Sequence, residues 1–174
     1  MPNKLLVLSD SHGFDVELDL LWDRHSKDIE AIIHCGDSEL SPKADELEGM
    51  VTVKGNCDIG SFPEVVTHSW EGLRIYVSHG HLHGVKGSSD QIVQSAKRAD
   101  ADIVMHGHSH IAEAYENEGI LVLNPGSVRL PRQRVEATYA LLERKDNAVE
   151  ISFLEFNTGK LVFKENWSIP SKKR

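Results

Sequence analysis

Residues 5–12 read Leu-Leu-Val-Leu-Ser-Asp-Ser-His, an unbroken apolar run that ends abruptly in polar side chains. This pattern is typical of a buried β-strand followed by a loop at its carboxyl end. Further along the chain, apolar runs at residues 31–34 and 50–53 predict two more strands, and helices are predicted over about 15–25 and 42–48. The order strand, helix, strand, helix, strand predicts a parallel, right-handed α/β unit.

The second half of the chain is richer in strands. Two alternating segments joined by Glu71-Gly72 predict a hairpin over residues 65–77, and a helix is predicted over residues 90–98. A buried strand at residues 102–105 and five more strands between residues 111 and 167 follow. The sequence therefore predicts mixed sheets flanked by helices in a single domain over residues 1–168, with a disordered tail at residues 169–174.

Composition excludes several classes of protein. The 174 residues carry a formal net charge of -8, which argues against broad electrostatic capture of nucleic acid or anionic membrane. The apolar run before Asp10 is too short for a signal sequence or a membrane span, so a cytoplasmic location is expected. Cys35 and Cys57 form no C-x-x-C pair. A small phosphorylated substrate remains compatible with the charge, because a bound metal can supply local positive charge.

Five predicted strands end directly in polar clusters. The clusters lie at residues 10–12, 36–37, 55–56, 78–80 and 106–110. Ligands bind at the carboxyl ends of strands in open α/β sheets, so clusters in equivalent positions on neighbouring strands are expected to converge. Topology alone therefore predicts a site.

Histidine is unusually clustered in this chain, which has 10. Residues 106–110 read His-Gly-His-Ser-His, and neutral imidazole is the commonest protein ligand for transition metals. Gly107 is expected to let the backbone turn between the ligands. Asp10 and His12 are two residues apart and would point the same way in an extended segment.

Each of the other clusters, taken alone, also has an ordinary structural interpretation. Asp10 could cap the next helix, Asp37 could be a turn residue, and His79 could be a buried histidine with satisfied hydrogen bonds. Together the clusters offer seven candidate metal ligands: Asp10, His12, Asp37, Asn56, His79, His108 and His110. Seven oxygen and nitrogen donors are too many for one tetrahedral zinc and suit two divalent ions, with Asp37 as the bridging carboxylate.

In this order, the motifs resemble the calcineurin-like metallophosphoesterases. The family pattern appears as Asp-Ser-His at 10–12, Gly-Asp at 36–37, Gly-Asn-Cys-Asp at 55–58, His79, and Gly-His-Ser-His at 107–110. The short chain, the Gly-Asn-Cys-Asp motif and Asn-Pro-Gly-Ser at 124–127 are similar to the small YfcE-type phosphodiesterase branch, which also includes the retromer scaffold subunit.

The resemblance implies a four-layer α-β-β-α sandwich of two mixed sheets. It implies one metal held by Asp10, His12, Asp37 and His110, and a second held by Asp37, Asn56, His79 and His108. The expected ions are manganese first, with nickel, iron, zinc or magnesium as alternatives. In such enzymes a hydroxide between the ions attacks phosphorus, so Asp37 and Asn56 count as catalytic as well as metal-binding residues.

One position departs from the wider superfamily. Cys57 stands where most members have a histidine near the leaving group, and a thiol is a poorer proton donor to an alkoxide than imidazole. Asp58, His81, His83 and His106 are the candidate substitutes, and His81 ranks first because it follows His79 in a glycine-rich loop. Exposed loop histidines without a role are the alternative. Without a strong acid, aryl diesters should be favoured.

Phosphodiester hydrolysis is the leading hypothesis. A non-catalytic, metal-binding interaction scaffold and a phosphomonoesterase are the alternatives. A nuclease acting on long nucleic acid is disfavoured by the acidic charge. Arg129, Arg132 and Arg134 follow the turn at 124–127 and are candidates for orienting a phosphate, with a surface role as the alternative. Formation of a homo-oligomer is left open.

Overall fold

The computed structural model describes residues 2–171, which form eleven strands, two α-helices and two short 3-10 turns. Six strands make the first sheet: β1 (Lys4–Leu8), β2 (Ile29–His34), β3 (Met50–Thr52), β9 (Thr138–Lys145), β10 (Ala148–Glu155) and β11 (Leu161–Ser168). Their order is β11-β10-β9-β1-β2-β3, with β1, β2 and β3 parallel, as predicted, and β9, β10 and β11 antiparallel.

The second sheet has five strands: β4 (Val65–Trp70), β5 (Leu73–Ser78), β6 (Ile103–Met105), β7 (Glu113–Asn117) and β8 (Ile120–Asn124). Their order is β4-β5-β6-β8-β7, in which β5, β6 and β8 run parallel. The predicted hairpin is confirmed as β4 and β5, and both residues of its turn, Glu71 and Gly72, have positive φ. Such a turn matches the twist of the paired strands.

Strand β1 explains why the two sheets stack. Its side chains alternate, so that Leu5 and Val7 enter the core between the sheets. Leu6 and Leu8 instead pack on the outer face, against Leu21 of α1 (Asp19–His25). An uninterrupted apolar run is therefore required, because this strand is buried on both faces.

The second helix covers the opposite outer face. Helix α2 (Asp90–Arg98) buries Ile92, Val93 and Ala96 against β6 and β8 of the second sheet, where Val104 and Val122 meet them. With the inter-sheet core and the α1 cluster, this gives three apolar interfaces and four layers. The predicted α-β-β-α sandwich of two mixed sheets is confirmed.

Some local predictions were wrong. The helix expected over 42–48 is a single 3-10 turn, Asp45–Leu47, because Ala44 and Glu48 on either side are extended, with ψ 135° and 130°. The helix expected over 15–25 begins as a 3-10 turn, Val16–Leu18, before α1. At the other end, Ile169 is buried and its N–H donates to the Asn147 carbonyl, so packing reaches this residue of the expected tail; residues 172–174 lie outside the described residues.

The strand ends that carry the polar clusters belong to two sheets, not to neighbours in one. Strands β1, β2 and β3 end at one edge of the first sheet, and β5 and β6 end at the matching edge of the second. The clusters converge because the sheets stack face to face. Within residues 2–171, no helix has the length and apolar character needed to cross a membrane. The cytoplasmic location stays a prediction.

Candidate metal centre

Four of the predicted ligands meet at the ends of β1, β2 and β6. The Nε2 atom of His110 lies 3.2 Å from Oδ1 of Asp10 and 3.2 Å from Nε2 of His12. The His12 Nε2 atom lies 3.7 Å from Asp10 Oδ1 and 3.9 Å from Asp37 Oδ2. One cation could contact all four side chains.

His79 and Asp37 form the adjoining half of the centre. The His79 Nε2 atom lies 3.2 Å from Asp37 Oδ2 and 3.7 Å from Asp10 Oδ1, and all three residues are buried. Asp37 Oδ2 thus lies near both His12 and His79, which is the position required of a bridging carboxylate.

The remaining two candidates lie farther out. The His108 ring centroid is 5.1 Å from that of His79, which places His108 beside this half of the centre. Asn56 is exposed, and its Nδ2 atom lies 3.6 Å from Cys57 Sγ. The structure therefore brings five of the seven candidates together directly, places His108 beside them, and leaves the amide nitrogen of Asn56 next to Cys57.

In each central imidazole, the contact made by Nδ1 fixes Nε2 as the nitrogen that faces the site. Nδ1 of His79 lies 2.8 Å from the Cys35 carbonyl, and Nδ1 of His110 lies 2.8 Å from the Leu130 carbonyl. Nδ1 of His12 lies 3.1 Å from a carboxylate oxygen of Glu39. Since these oxygens only accept, Nδ1 carries the hydrogen and Nε2 presents a lone pair, as in histidines that bind metals.

This arrangement fits a cation and fits little else. Asp10 Oδ1 and His79 Nε2 are buried without a hydrogen-bond partner among the described residues, and both face the same point. A buried polar atom without a partner costs about 1–3 kcal/mol, and two imidazole lone pairs at 3.2 Å repel each other unless positive charge lies between them. Divalent cations accept electron pairs from all of these atoms at once.

Backbone conformation supports the same conclusion. Asp10, His12, Asp37, His108 and His110 all have left-handed φ, at 53°, 40°, 59°, 73° and 63°. Left-handed backbone is uncommon outside glycine, and it tends to accumulate at functional sites. Asp10 and His12 therefore meet in a turn, and the extended segment expected from their spacing is absent.

Gly107 was expected to permit a turn, but its role is close approach. A Cβ atom at this position would overlap Ser9 Oγ and Asp10 Oδ2. The same holds at Gly55, where a Cβ would overlap the Asp37 carboxylate. Each glycine lets one ligand loop pack directly on the next.

Several supporting residues were missed by sequence reasoning. Ser9 Oγ donates to Asp10 Oδ2 at 2.7 Å, and Ser127 Oγ donates to the Asp10 carbonyl at 2.7 Å. Glu39 orients His12, as described above. Only Ser127 had a sequence signal, as part of the Asn-Pro-Gly-Ser segment; Ser9 and Glu39 sit beside motif residues with no pattern of their own.

Burial and nearby charges keep Asp10 and His108 in the protonation states that bind metal. Burial alone would raise the pKa of Asp10, but the neighbouring imidazoles of His110 and His79, in their protonated forms, hold it below its usual value. Burial lowers the pKa of His108 to about 4, helped by the charges of His79 and Lys86, so this imidazole is neutral at pH 7.

The pKa of His79 is raised although burial opposes protonation, because Asp37 and Asp10 face its ring. The adjacent Asp10 carboxylate likewise raises the pKa of His110. Protons therefore compete with cations for these two imidazoles.

The four candidate acids differ in the hydrogen-bond contacts of their side chains. Asp58 accepts three backbone N–H groups, from Asp37, Glu39 and Gly55, at 2.7–2.9 Å. His106 is buried, with Nδ1 2.9 Å from the Gly107 carbonyl. His83 lies 3.5 Å from the Tyr76 hydroxyl.

The His81 ring lies beside two of the candidate ligands. Its ring centroid lies 5.5 Å from His79 and 6.2 Å from His108, and its Nδ1 has no hydrogen-bond partner among the described residues. Burial, with the charge of His79, lowers the pKa of His81. Burial and the nearby carboxylates of Asp37 and Glu39 raise the pKa of the Cys57 thiol to about 11, so this group stays protonated.

Two of the three candidate arginines have structural contacts. Arg129 donates to the His12 carbonyl and lies 4.9 Å from the Phe14 ring centroid. Arg134 lies 3.9 Å above the Phe163 ring. Arg132 differs: its backbone N–H donates to the His110 carbonyl at 3.0 Å, and its charge opposes protonation of His110. The charge of Arg132 therefore acts on a candidate metal ligand.

Comparisons with known proteins identify relatives of this chain. The calcineurin-like phosphoesterase superfamily domain matches residues 4–147. The probable metallophosphoesterase YsnB of Bacillus subtilis is 41% identical over 152 residues, covering 87% of this chain and 90% of the relative. The phosphodiesterase YfcE of Escherichia coli K12 is 30% identical over 105 residues, covering 54% of this chain and 52% of YfcE.

Solved structures show the same fold. A predicted phosphoesterase from Streptococcus pneumoniae TIGR4 superposes with a TM-score of 0.89 at 32% identity, covering 95% of this chain and 97% of the other. Vacuolar Protein Sorting 29 from Cryptosporidium parvum gives a TM-score of 0.78 at 21% identity, over 95% and 98% of the two chains. The second likeness concerns the fold alone.

Proposed function

The chain belongs to the calcineurin-like phosphoesterase superfamily, and from this premise we propose that it hydrolyses phosphate diesters with two divalent metal ions. The observation that supports this most directly is the pair of buried atoms, Asp10 Oδ1 and His79 Nε2, that face the centre without a hydrogen-bond partner among the described residues. Two atoms of this kind in one place are costly unless cations bind there.

The proposed ligand sets follow the two halves of the centre. Asp10, His12, Asp37 and His110 hold one ion, which agrees with their mutual distances of 3.2–3.9 Å. Asp37, Asn56, His79 and His108 hold the other. Asn56 would bind through its carbonyl oxygen, and its place in the set stays a prediction.

When bound, the two ions supply positive charge for the phosphoryl oxygens and a lowered pKa for an attacking water. The protein contributes orientation: Glu39, the Cys35 carbonyl and the Leu130 carbonyl hold the imidazoles of His12, His79 and His110 with their lone pairs inward. We propose Arg132, whose charge acts on His110, as the residue that attracts the anionic substrate. Mixed oxygen and nitrogen donors suit manganese, with nickel, iron, zinc or magnesium as alternatives.

The proposed substrate is a small phosphodiester with a good leaving group. Cys57 holds its proton tightly, and the lowered pKa of His81 favours the neutral imidazole, so neither is an effective proton donor to an alkoxide. The net charge of -8 does not favour long nucleic acid as a substrate. A homo-oligomer stays a prediction.

The test is to strip the protein of metal, reload it with each candidate ion, and assay bis-aryl and mono-aryl phosphates. We expect turnover of the diester, and loss of both turnover and bound metal in Asp37→Ala. Asp23→Ala, which changes an exposed aspartate of α1, is the matched control and should behave as wild type.

The outcomes separate the alternatives. Preference for the mono-aryl ester would favour a phosphomonoesterase. Metal binding without turnover of either ester by any metal form would favour a non-catalytic scaffold. Unchanged activity in Asp37→Ala would remove Asp37 from its bridging role.

A further inference from the structure

A cavity of ≈ 450 Å³ adjoins the metal centre and is lined by residues 39–42, Cys57, Ile59 and Gly60. We refer to it as the side cavity. Two of its wall residues also touch candidate metal ligands. A carboxylate oxygen of Glu39 lies at hydrogen-bond distance, 3.1 Å, from Nδ1 of His12, and the Cys57 N–H donates to Asp37 Oδ1 at 2.8 Å. A molecule held at the centre can therefore extend one substituent into the side cavity.

The wall of the side cavity is largely apolar. Leu40, Pro42 and Ile59 supply most of this surface, and the Ile59 side chain is 99% exposed. An isoleucine fully in water beside a cavity gains free energy when a ligand covers it, at roughly 25 cal/mol for each Å² removed from water. An apolar cavity of about 150 Å³ suffices for benzene, so the side cavity is large enough for an aromatic ring.

The charge of the wall restricts the ligand further. Glu39 is the charged residue among those that line the side cavity, and its carboxylate is partly exposed. An anionic substituent would be repelled by this carboxylate, whereas a neutral ring would meet only apolar and weakly polar atoms.

We propose that the side cavity binds an uncharged aryl group esterified to the phosphorus, so that the protein selects aryl esters over small alkyl esters. This inference rests on the proposed function, because the metal centre must hold the phosphoryl group while the ring occupies the side cavity. Ile59 is then a specificity-determining residue.

The experiment measures calorimetric binding of three non-hydrolysable probes to the metal-loaded protein: phenylphosphonate, methylphosphonate and 4-carboxyphenylphosphonate. We expect phenylphosphonate to bind about tenfold more tightly than methylphosphonate, because it buries the ring and Ile59. The carboxylated probe should bind more weakly than phenylphosphonate. Ile59→Ala should reduce the phenyl-to-methyl ratio of affinities about threefold to fivefold.

Leu161→Ala is the matched control, since Leu161 is also a large exposed apolar residue but begins β11, at the opposite edge of the first sheet. The phenyl-to-methyl ratio of affinities in Leu161→Ala should equal that of the wild-type protein. Thermal melting of both variants checks folding, which an exposed side chain should hardly affect.

Equal binding of the phenyl and methyl probes, or an unchanged ratio in Ile59→Ala, would overturn the side-cavity proposal while leaving the proposed function standing. Failure of every phosphonate to bind, with metal demonstrably present, would instead overturn the proposed function and the inference with it.

Discussion

Asp58 holds together the two loops that carry Asp37 and Asn56. Its carboxylate accepts backbone N–H groups from both loops: Oδ2 accepts from Asp37 and Gly55, and Oδ1 accepts from Glu39. Sequence reasoning placed Asp58 among the candidate acids, but a buried carboxylate engaged by three donors acts by fixing the backbone. Its effect on the reaction is therefore indirect, through the position of the Asp37 carboxylate.

We predict that Asp58→Asn weakens metal binding and lowers stability by about 1–3 kcal/mol, because an amide nitrogen would face a backbone donor. Denaturant unfolding and a metal titration measure the two effects. Asp102→Asn is the control, since Asp102 Oδ2 also accepts a backbone N–H, from Arg74, at the opposite end of β6. The control should lose stability but keep its metal affinity; equal loss of affinity in both variants would contradict the prediction.

The imidazole of His81 raises a separate question, whether any side chain protonates the leaving group. If His81 does so, His81→Gln should reduce kcat/KM by about 100-fold for alkyl leaving groups and only a few-fold for p-nitrophenolate, which needs no proton. His83→Gln, in the same loop, is the control. A uniform loss across leaving groups would assign His81 to substrate binding instead.

At the scale of elements, the loop 106–110 is braced on two sides. The Asn124 amide donates to the Gly107 carbonyl at 3.3 Å and to Ser109 Oγ at 2.9 Å. On the other side, the His108 N–H donates to Asp10 Oδ2 at 3.1 Å. Residues at the ends of β8 and β1 thus hold this loop by hydrogen bonds. The absence of a side chain at Gly107 allows the loop to pack this closely.

Gly107→Ala should therefore disturb the centre through Asp10. The added methyl group would overlap Ser9 Oγ and Asp10 Oδ2, and overpacking of this kind costs about 1–3 kcal/mol. We expect lower thermal stability and weaker metal binding. Gly87→Ala is the control, because a Cβ there has an ordinary nearest contact of 3.6 Å. Wild-type metal affinity in Gly107→Ala would show that the loops adjust without cost.

For the whole molecule, the centre joins the two sheets. Asp10 and Asp37 follow strands of the first sheet, whereas His79 and His110 follow strands of the second. Bound cations therefore connect the two inner layers of the sandwich at one end, and ligand binding to the folded state stabilises it by mass action.

We expect metal at about 100 times its dissociation constant to stabilise the fold by about 2.7 kcal/mol, or a rise in Tm of about 5–10 °C. Scanning calorimetry with and without metal measures this rise. Asp37→Ala should abolish it. A Tm that is unaffected by metal in the wild-type protein would contradict a shared centre between the sheets.

Acid stability depends on a buried histidine behind the centre. His34 accepts a hydrogen bond at Nδ1 from the Gly36 N–H, and its Nε2 lies 2.8 Å from Ser11 Oγ. Burial lowers the pKa of His34 to about 4, so the folded state holds it neutral while an unfolded chain would protonate it near 6.5. Its contribution is therefore present above about pH 6.5 and is lost as the pH falls towards 4.

His34→Asn should remove this dependence, because the asparagine carbonyl can accept from Gly36 without titrating. The gap in unfolding free energy between wild type and variant should shrink by about 3 kcal/mol between pH 7 and pH 4. Chemical unfolding of metal-free protein across this range measures the gap. A constant gap would mean that His34 is not held neutral in the folded state.

The sequence by itself determined which residues are candidate metal ligands and which strands are buried. Continuous apolar runs such as residues 5–8 and the polar clusters that follow them identified the parallel strands and the candidate ligands, because burial and side-chain chemistry are local properties of composition. The order of the motifs was sufficient to indicate the family. It could not distinguish a helix from a single turn at residues 42–48, because helix propensity is a weak predictor that tertiary contacts override.

Only the tertiary structure decided how the clusters meet. They converge across two stacked sheets, through turns with left-handed backbone at Asp10, Asp37 and His110, and no pattern in the sequence specifies such a turn. Nor could the sequence show that Asp58 binds backbone rather than substrate, or that a cavity opens beside Glu39. Contacts with backbone atoms and the shapes of empty spaces depend on residues far apart in the chain, and these come together only when the sheets pack.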